Sequence, residues 1–195
     1  MADIPTRAET LDLMHEYTES RSLRKHMYAV EAAMRAYAEK SGADIELWGI
    51  TGLIHDFDYE RWPNDAHSPT DEHPSTGVAI LREQGWPEEV LDAVMAHADY
   101  TNVPATTPLA KTLRAVDELA GFIMACALIR PTRISDLGAK SVKKKLKDKR
   151  FAAGVNREDI REAQEVLGED LTEHIDFVIE AMRGIADQLG LQDHA

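Results

Sequence analysis

Apolar residues recur along this chain at intervals of three and four, and no stretch shows a sustained alternation of apolar with polar positions. Spacing near 3.6 places such residues on one face of a helix, whereas a strand repeats every two, so the pattern predicts an all-α fold. A first helix is expected near Glu9 to Glu19 and a second from about Ser22 to Lys40, with Gly42 placed to end it. A third runs from Asp44, suited to an N-cap, to His55. The stretch DFDYERWPNDAHSPTDEHP that follows is too rich in Pro, Asp and Asn for regular structure, and a loop of that length commonly carries function. A fourth helix is expected from Pro74 to Gln84, ending at Gly85, a fifth from Pro87 at its first position to His97, and a sixth from Pro108 to Ile129. Beyond RPTRISDLG come a lysine-rich helix, a helix capped by Asn156, and a last helix from Leu171 to Leu189. The interruption near Pro131 suggests a helical core over residues 1–130 and a smaller helical C-terminal subdomain, 131–195, packed on it.

Four of these helices carry a polar residue on the apolar side. In the second, Leu23, Met27, Val30, Met34 and Tyr37 make the stripe and His26 shares it. In the third, Leu47, Trp48, Thr51 and Ile54 lead to His55, and in the fifth, Val90, Leu91 and Val94 lead to His97. The sixth is the sharpest case, because Asp117 stands among Leu109, Leu113, Val116, Ala120 and Met124. A carboxylate in a core costs several kcal/mol unless it is paired or metal-bound. Each residue alone has an ordinary explanation: a hydrogen-bonded core histidine, or an acid paired with Arg35 or Arg114. Taken together with Asp56 beside His55, they suggest convergence on a divalent cation, which satisfies carboxylates and neutral imidazoles at once.

Composition narrows the class. A chain of 195 residues, 44% of them hydrophobic, is long enough to bury a sizeable core. The single Cys126 has no partner for a disulfide, and its apolar run LAGFIMACALI is shorter than the roughly 20 residues that span a bilayer, so Cys126 is expected as a small core residue. MADIPTRAET lacks a basic and then apolar signal pattern, and a cytoplasmic protein without membrane attachment is expected. The net charge of −13 disfavours general nucleic-acid binding. Against it stands KSVKKKLKDKR, Lys140 to Arg150, with seven basic residues and one acid, which leaves −19 on the rest of the chain.

The order His26, His55-Asp56, Asp117 resembles the H…HD…D signature of the HD-domain superfamily of metal-dependent phosphohydrolases. EHPSTGVAIL resembles the His-Pro-x-x-Gly helix start of the subset with two further histidines and supplies His73, while VMAHAD supplies His97. The motifs cover about Ser22 to Leu128, and the whole chain more loosely resembles stand-alone bacterial HDIG-type proteins described only as hydrolases. Cyclic-dinucleotide phosphodiesterases of the superfamily have Ile-Gly-Lys where this chain has Phe57-Asp58-Tyr59, and a Gly-Tyr-Pro motif where it has ADYTNVPATTP, so the resemblance does not extend to their substrate.

The resemblance implies an HD-domain helical bundle whose metal ligands are His26, His55, Asp56, His73, His97 and Asp117. In a two-ion arrangement Asp56 bridges, His26, His55 and Asp117 serve one ion, and His73 and His97 complete the other. A shared hydroxide would then be the nucleophile for hydrolysis of a small anionic phosphorylated metabolite or nucleotide. Four imidazoles favour Fe, Mn, Co, Ni or Zn over Mg or Ca. Asp58, expected as an exposed loop acid, is a candidate to orient water or the leaving group, its plainer reading being a cap. His67 is a candidate for substrate contact. Lys140, Lys143, Lys144 and Lys147 are candidates to draw in an anionic substrate, or are the solvated face of a helix packed through Val142 and Leu146. His15 and His174 are expected on helix surfaces and His194 in the tail. A second function, a mixed-valent di-iron oxygenase, rests on the same six-ligand series, which myo-inositol oxygenase and an organophosphonate-cleaving oxygenase resemble; a third is a non-catalytic metal- or nucleotide-sensing module, which the intact ligands disfavour.

Overall fold

The computed structural model describes residues 4–193, so His194 lies outside the described residues. Among these the regular structure is helical: α1 (Arg7–Tyr17), α2 (Arg21–Ser41), α3 (Ile45–Ile54), α4 (Ser75–Glu83), α5 (Glu88–Ala96), α6 (Pro108–Leu128), α7 (Ala139–Leu146), α8 (Arg157–Leu167), α9 (Leu171–Arg183) and α10 (Ala186–Leu189), with a 3-10 turn at Asp99–Thr101. The all-α expectation holds. Side chains close the helix starts where the sequence offers them. Thr6 and Glu9 form a capping box on α1, Asp44 Oδ1 accepts from the amides of Glu46 and Leu47 at 3.0 Å each, and Thr107 caps α6 ahead of Pro108.

Two boundaries differ from expectation. Pro87 is the N-cap of α5, with extended ψ of 135°, and not its first helical residue. The last helix stops at Arg183; Gly184 and Ile185 turn the chain before α10, and this turn returns Leu189 and Leu191 to the core, where both are buried. A straight helix would forgo that burial.

Helix α2 lies at the centre, against α3 on one side and α6 and α9 on others. Its approach to α3 needs Gly52: a Cβ there would stand 3.0 Å from Glu31 Cα and 2.9 Å from Met34 Cγ. One apolar cluster gathers Val30 and Met34 of α2 and Leu113, Val116 and Phe122 of α6, and continues into Val142, Ile160, Ile175 and Val178 beyond Pro131. Cys126 belongs to it, and burial pushes its thiol up to about 11, as expected of an inert core residue. A second cluster joins Met14, Met27, Ile50, Leu53, Phe57, Leu81 and Val90. Glu31 is buried but neutralised by Arg7 at 2.6 Å and Arg35 at 2.9 Å. Among the described residues no helix is long and apolar enough to cross a membrane.

His174 corrects the expectation of a surface residue. It is fully buried, its Nδ1 2.6 Å from the Tyr37 hydroxyl and its Nε2 3.0 Å from the Ala115 carbonyl. His15 is half-buried and meets the Tyr28 hydroxyl at 2.8 Å.

Candidate metal centre

Two helices and the ends of three others bring six side chains to one place. His26 comes from the middle of α2 and Asp117 from the middle of α6, His55 is the C-cap of α3, Asp56 follows it, His97 is the C-cap of α5, and His73 immediately precedes Pro74 at the mouth of α4. They form two groups, His26 with His55 and Asp117, and Asp56 with His73 and His97; within each, the candidate ligand atoms lie within 4.8 Å of one another. Asp56 faces both groups. Its Oδ2 is 3.6 Å from His26 Nε2 and 3.5 Å from His55 Nε2, while its Oδ1 is 3.3 Å from His73 Nε2 and 3.5 Å from His97 Nε2. Asp117 Oδ1 lies 2.9 Å from His26 Nε2 and 3.4 Å from His55 Nε2.

The hydrogen bonds on the far side of each ring say which nitrogen is free. His55 Nδ1 donates to the Gly52 carbonyl at 2.8 Å and His97 Nδ1 to the Val94 carbonyl at 2.5 Å, each reaching back into its own helix. His73 Nδ1 donates to Asp58 Oδ1 at 2.7 Å. Carbonyl and carboxylate oxygens only accept, so each Nδ1 carries hydrogen and each neutral ring presents a lone pair at Nε2. His55 Nε2 is buried without any hydrogen-bond partner, although burying a polar atom unsatisfied costs about 1–3 kcal/mol.

Most of the separations within the cluster, 3.3 to 3.6 Å, are longer than hydrogen bonds of about 2.7–3.2 Å. They match the edge of a coordination shell, since bonds of about 2.1 Å hold neighbouring ligand atoms about 3.0–3.4 Å apart. The residues therefore fit a divalent cation. The alternative salt bridge to Asp117 does not form: Arg35 is committed to Glu31 and Glu46, and Arg114 to Asp99, Asp159 and Glu162.

The electrostatics show the same shortage of positive charge. Burial alone would lower the His97 pKa, but the close approach of Asp56 and the charges of Asp117 and Asp56 push it up to about 9. Burial works against ionisation of Asp117, yet the imidazoles of His55 and His26 hold it well below the usual carboxylate range. Two carboxylates in this setting demand cations, and protons on the rings or metal ions are the two ways to supply them.

The centre opens into a cavity of about 820 Å3. Tyr59 and Tyr100 flank it; the Tyr100 hydroxyl donates to the His73 carbonyl at 3.1 Å, and burial with the charges of Asp56 and Asp58 pushes it up to about 12, so it remains a donor. His67 lines the cavity, stacked on Tyr100 with centroids 4.8 Å apart. Asn64 organises this loop, its amide donating to the carbonyls of Ser68, Asp71 and His73 at 2.8–2.9 Å. The far wall is made by Gly154, Val155, Asn156 and Asp159, at and before the start of α8. Arg114 and Glu118 of α6 complete it, and Glu118 is pushed up to about 7 by burial and by the charge of Asp117. None of Tyr59, Tyr100, Asn64, Glu118 or Asp159 was singled out by sequence as a site residue, and Arg114 and Asn156 were named only as an ion-pair partner and a helix cap; Tyr59 and Asn64 alone had a local signal, the polar loop from Asp56 to Pro74.

The exposure expected of Asp58 is corrected. Asp58 is fully buried, and both oxygens are engaged, Oδ1 by His73 and Oδ2 by the Gly77 amide at 2.8 Å. It lines no part of the cavity, so it does not face a reacting water. Lys140, Lys143, Lys144 and Lys147 stand outside the cavity lining, on the solvated face of a helix packed as one of the two readings had it. Helix α7 buries Val142 and Leu146 against α6 and α9, which turns these lysines to solvent, and Lys143 donates to the Thr172 hydroxyl at 3.0 Å.

Comparison with known proteins agrees with this geometry. The sequence profile of the HD domain matches residues 23–121, a span containing all six residues of the centre. A tRNA (cytidine(56)-2'-O)-methyltransferase of Thermoplasma volcanium is similar to this chain, with 31% identity over 94 residues, 48% of this chain and 26% of the relative. The match thus spans about a quarter of that relative's length. No solved structure matches.

Proposed function

This chain belongs to the HD-domain family, and from that membership together with the centre we infer a metal-dependent phosphohydrolase that cleaves a phosphomonoester or phosphodiester of a small metabolite or nucleotide. HD domains bind divalent metals and form a superfamily of metal-dependent phosphohydrolases. The observation that carries the reading is the convergence of His55, His73 and His97, each with Nδ1 already bonded, on the carboxylates of Asp56 and Asp117. The methyltransferase relative is named for a protein of which 26% is matched, and its activity is not carried over.

Bound ions would supply Lewis acidity, activating water and neutralising charge that develops on the phosphoryl group. The donor set of four imidazoles and two carboxylates suits Fe, Mn, Co, Ni or Zn. His26, His55 and Asp117 would hold one ion, His73 and His97 the other, and Asp56, with one oxygen toward each group, would bridge them. The chain does the rest. Buried helices hold the imidazoles in place, and Tyr59 and the stacked pair His67 and Tyr100 offer aromatic faces to the organic part of a substrate. A cavity of about 820 Å3 falls in the range of about 300–1,000 Å3 usual for small-molecule sites.

The test is hydrolysis of a panel of phosphomonoesters, nucleotides and phosphodiesters after loading with each of the five metals, under air and under nitrogen. Phosphate release independent of oxygen, lost in His55→Ala, supports the reading. Turnover that requires oxygen would replace it with the di-iron oxygenase. Metal binding without turnover of any compound would favour a sensing module.

A further inference from the structure

The three inward histidines that end or precede helices are not held alike. His55 and His97 donate Nδ1 to carbonyls three residues back in their own helices, so α3 and α5 aim their Nε2 atoms unaided. His73 lies outside any helix. Its ring is instead gripped by Asp58 at 2.7 Å, and the second oxygen of Asp58 takes the amide of Gly77 in the first turn of α4 at 2.8 Å. Gly77 leaves room for this carboxylate: a Cβ at that position would stand 2.6 Å from Asp58 Cγ and 2.8 Å from its Oδ2. The glycine of the His-Pro-x-x-Gly start is therefore required by an acid 19 residues earlier in the chain.

We propose that Asp58 and Gly77 form a positioning pair that holds His73 with its Nε2 lone pair toward Asp56 Oδ1, and thereby decides whether the centre takes one ion or two. The inference rests on the metal-centre reading above. Its logic is a count of donors. One group keeps His26, His55 and Asp117 and has Asp56 Oδ2 beside it, none of which touches Asp58. The other offers His73, His97 and the opposite oxygen of Asp56, and with His73 turned away only two ligands remain. A carboxylate partner also fixes the tautomer and raises the basicity of a ligating imidazole, and losing such a partner typically weakens metal affinity about 10- to 100-fold.

The experiment is a Mn(II) titration of the full chain by calorimetry and electron paramagnetic resonance, comparing wild type with Asp58→Asn and Gly77→Ala. Asparagine keeps the volume but offers one acceptor where two N–H donors converge, while the alanine methyl displaces the carboxylate without altering it. Expected are two ions with a spin-coupled spectrum in wild type, and in both variants one ion of unchanged affinity, an uncoupled spectrum, and a second ion weakened about 10- to 100-fold. Wild-type binding of both ions in either variant overturns the proposal. So does loss of both ions or of the fold in both variants, because Asp58 would then serve folding in general and not His73. Absence of Mn(II) from wild type itself would instead sink the metal-centre reading, and the two failures are thus distinct.

Discussion

His73 and His97 face each other Nε2 to Nε2 across 3.3 Å, each with its Nδ1 hydrogen already given, one to Asp58 and the other to the Val94 carbonyl. Two neutral rings so placed oppose lone pairs, a repulsion relieved by a proton on one ring or by a metal ion beside both. Metal should therefore stabilise the fold. Mn(II) at about 100 times its dissociation constant contributes about 2.7 kcal/mol, which for a chain of this length raises Tm by roughly 5–11 °C. Differential scanning fluorimetry with and without a chelator measures it, and a Tm indifferent to both would contradict the donor assignment.

The buried hydrogen-bonded chain at His174 predicts a stability effect without a metal effect. Tyr37→Phe removes the hydroxyl 2.6 Å from His174 Nδ1 and leaves that nitrogen buried without its partner, at a cost of about 1–3 kcal/mol. Urea denaturation should register the loss while metal content stays at the wild-type value. An unchanged midpoint would mean that His174 finds another partner.

Asp159, in the far wall, gives a pH dependence of defined sign. Burial, then the charge of Asp99, push it up to about 6, against the opposing effect of Arg114. Because the folded state holds this proton more tightly than the unfolded chain, ionised Asp159 costs stability above pH 6, and the cost disappears as pH falls through 6 toward 4. Asp159→Asn should therefore be more stable than wild type by on the order of 1 kcal/mol at pH 7.5, and by less at pH 5. A difference independent of pH would show that Asp159 is not strained by its neighbours.

For the lysine-rich helix we propose attraction at a distance, since its exposed side chains lie outside the cavity lining. Replacing Lys140, Lys143, Lys144 and Lys147 by Gln should raise KM for an anionic substrate at low ionic strength and leave it unchanged at high. An equal rise at every ionic strength would instead require direct contact.

Much of the bundle was legible because its signals are local. Gly42 ends α2, Asp44 starts α3, and His26 and Asp117 betray themselves as polar intruders in apolar stripes. What escaped depended on partners distant in sequence. The burial of Asp58 is decided by His73 and Gly77, and the far wall by Asn156 and Asp159, which the fold brings to α6. His174 was readable and overlooked: it shares a face with Val178 and Met182 at intervals of four, and all three are buried. The turn after Arg183 has only Gly184 to announce it, and the burial of Leu191 that it permits is a long-range contact with Ile134.

Metal content per chain, measured by elemental analysis after anaerobic reconstitution with Mn(II) or Fe(II), tests the central claim most directly. The account predicts two ions in wild type, one in the double variant His73→Ala and His97→Ala, and none in Asp56→Ala, where the residue shared by both groups is lost. Wild-type protein without stoichiometric metal would contradict the centre itself, and wild-type protein that never exceeds one ion would contradict its division into two groups across Asp56.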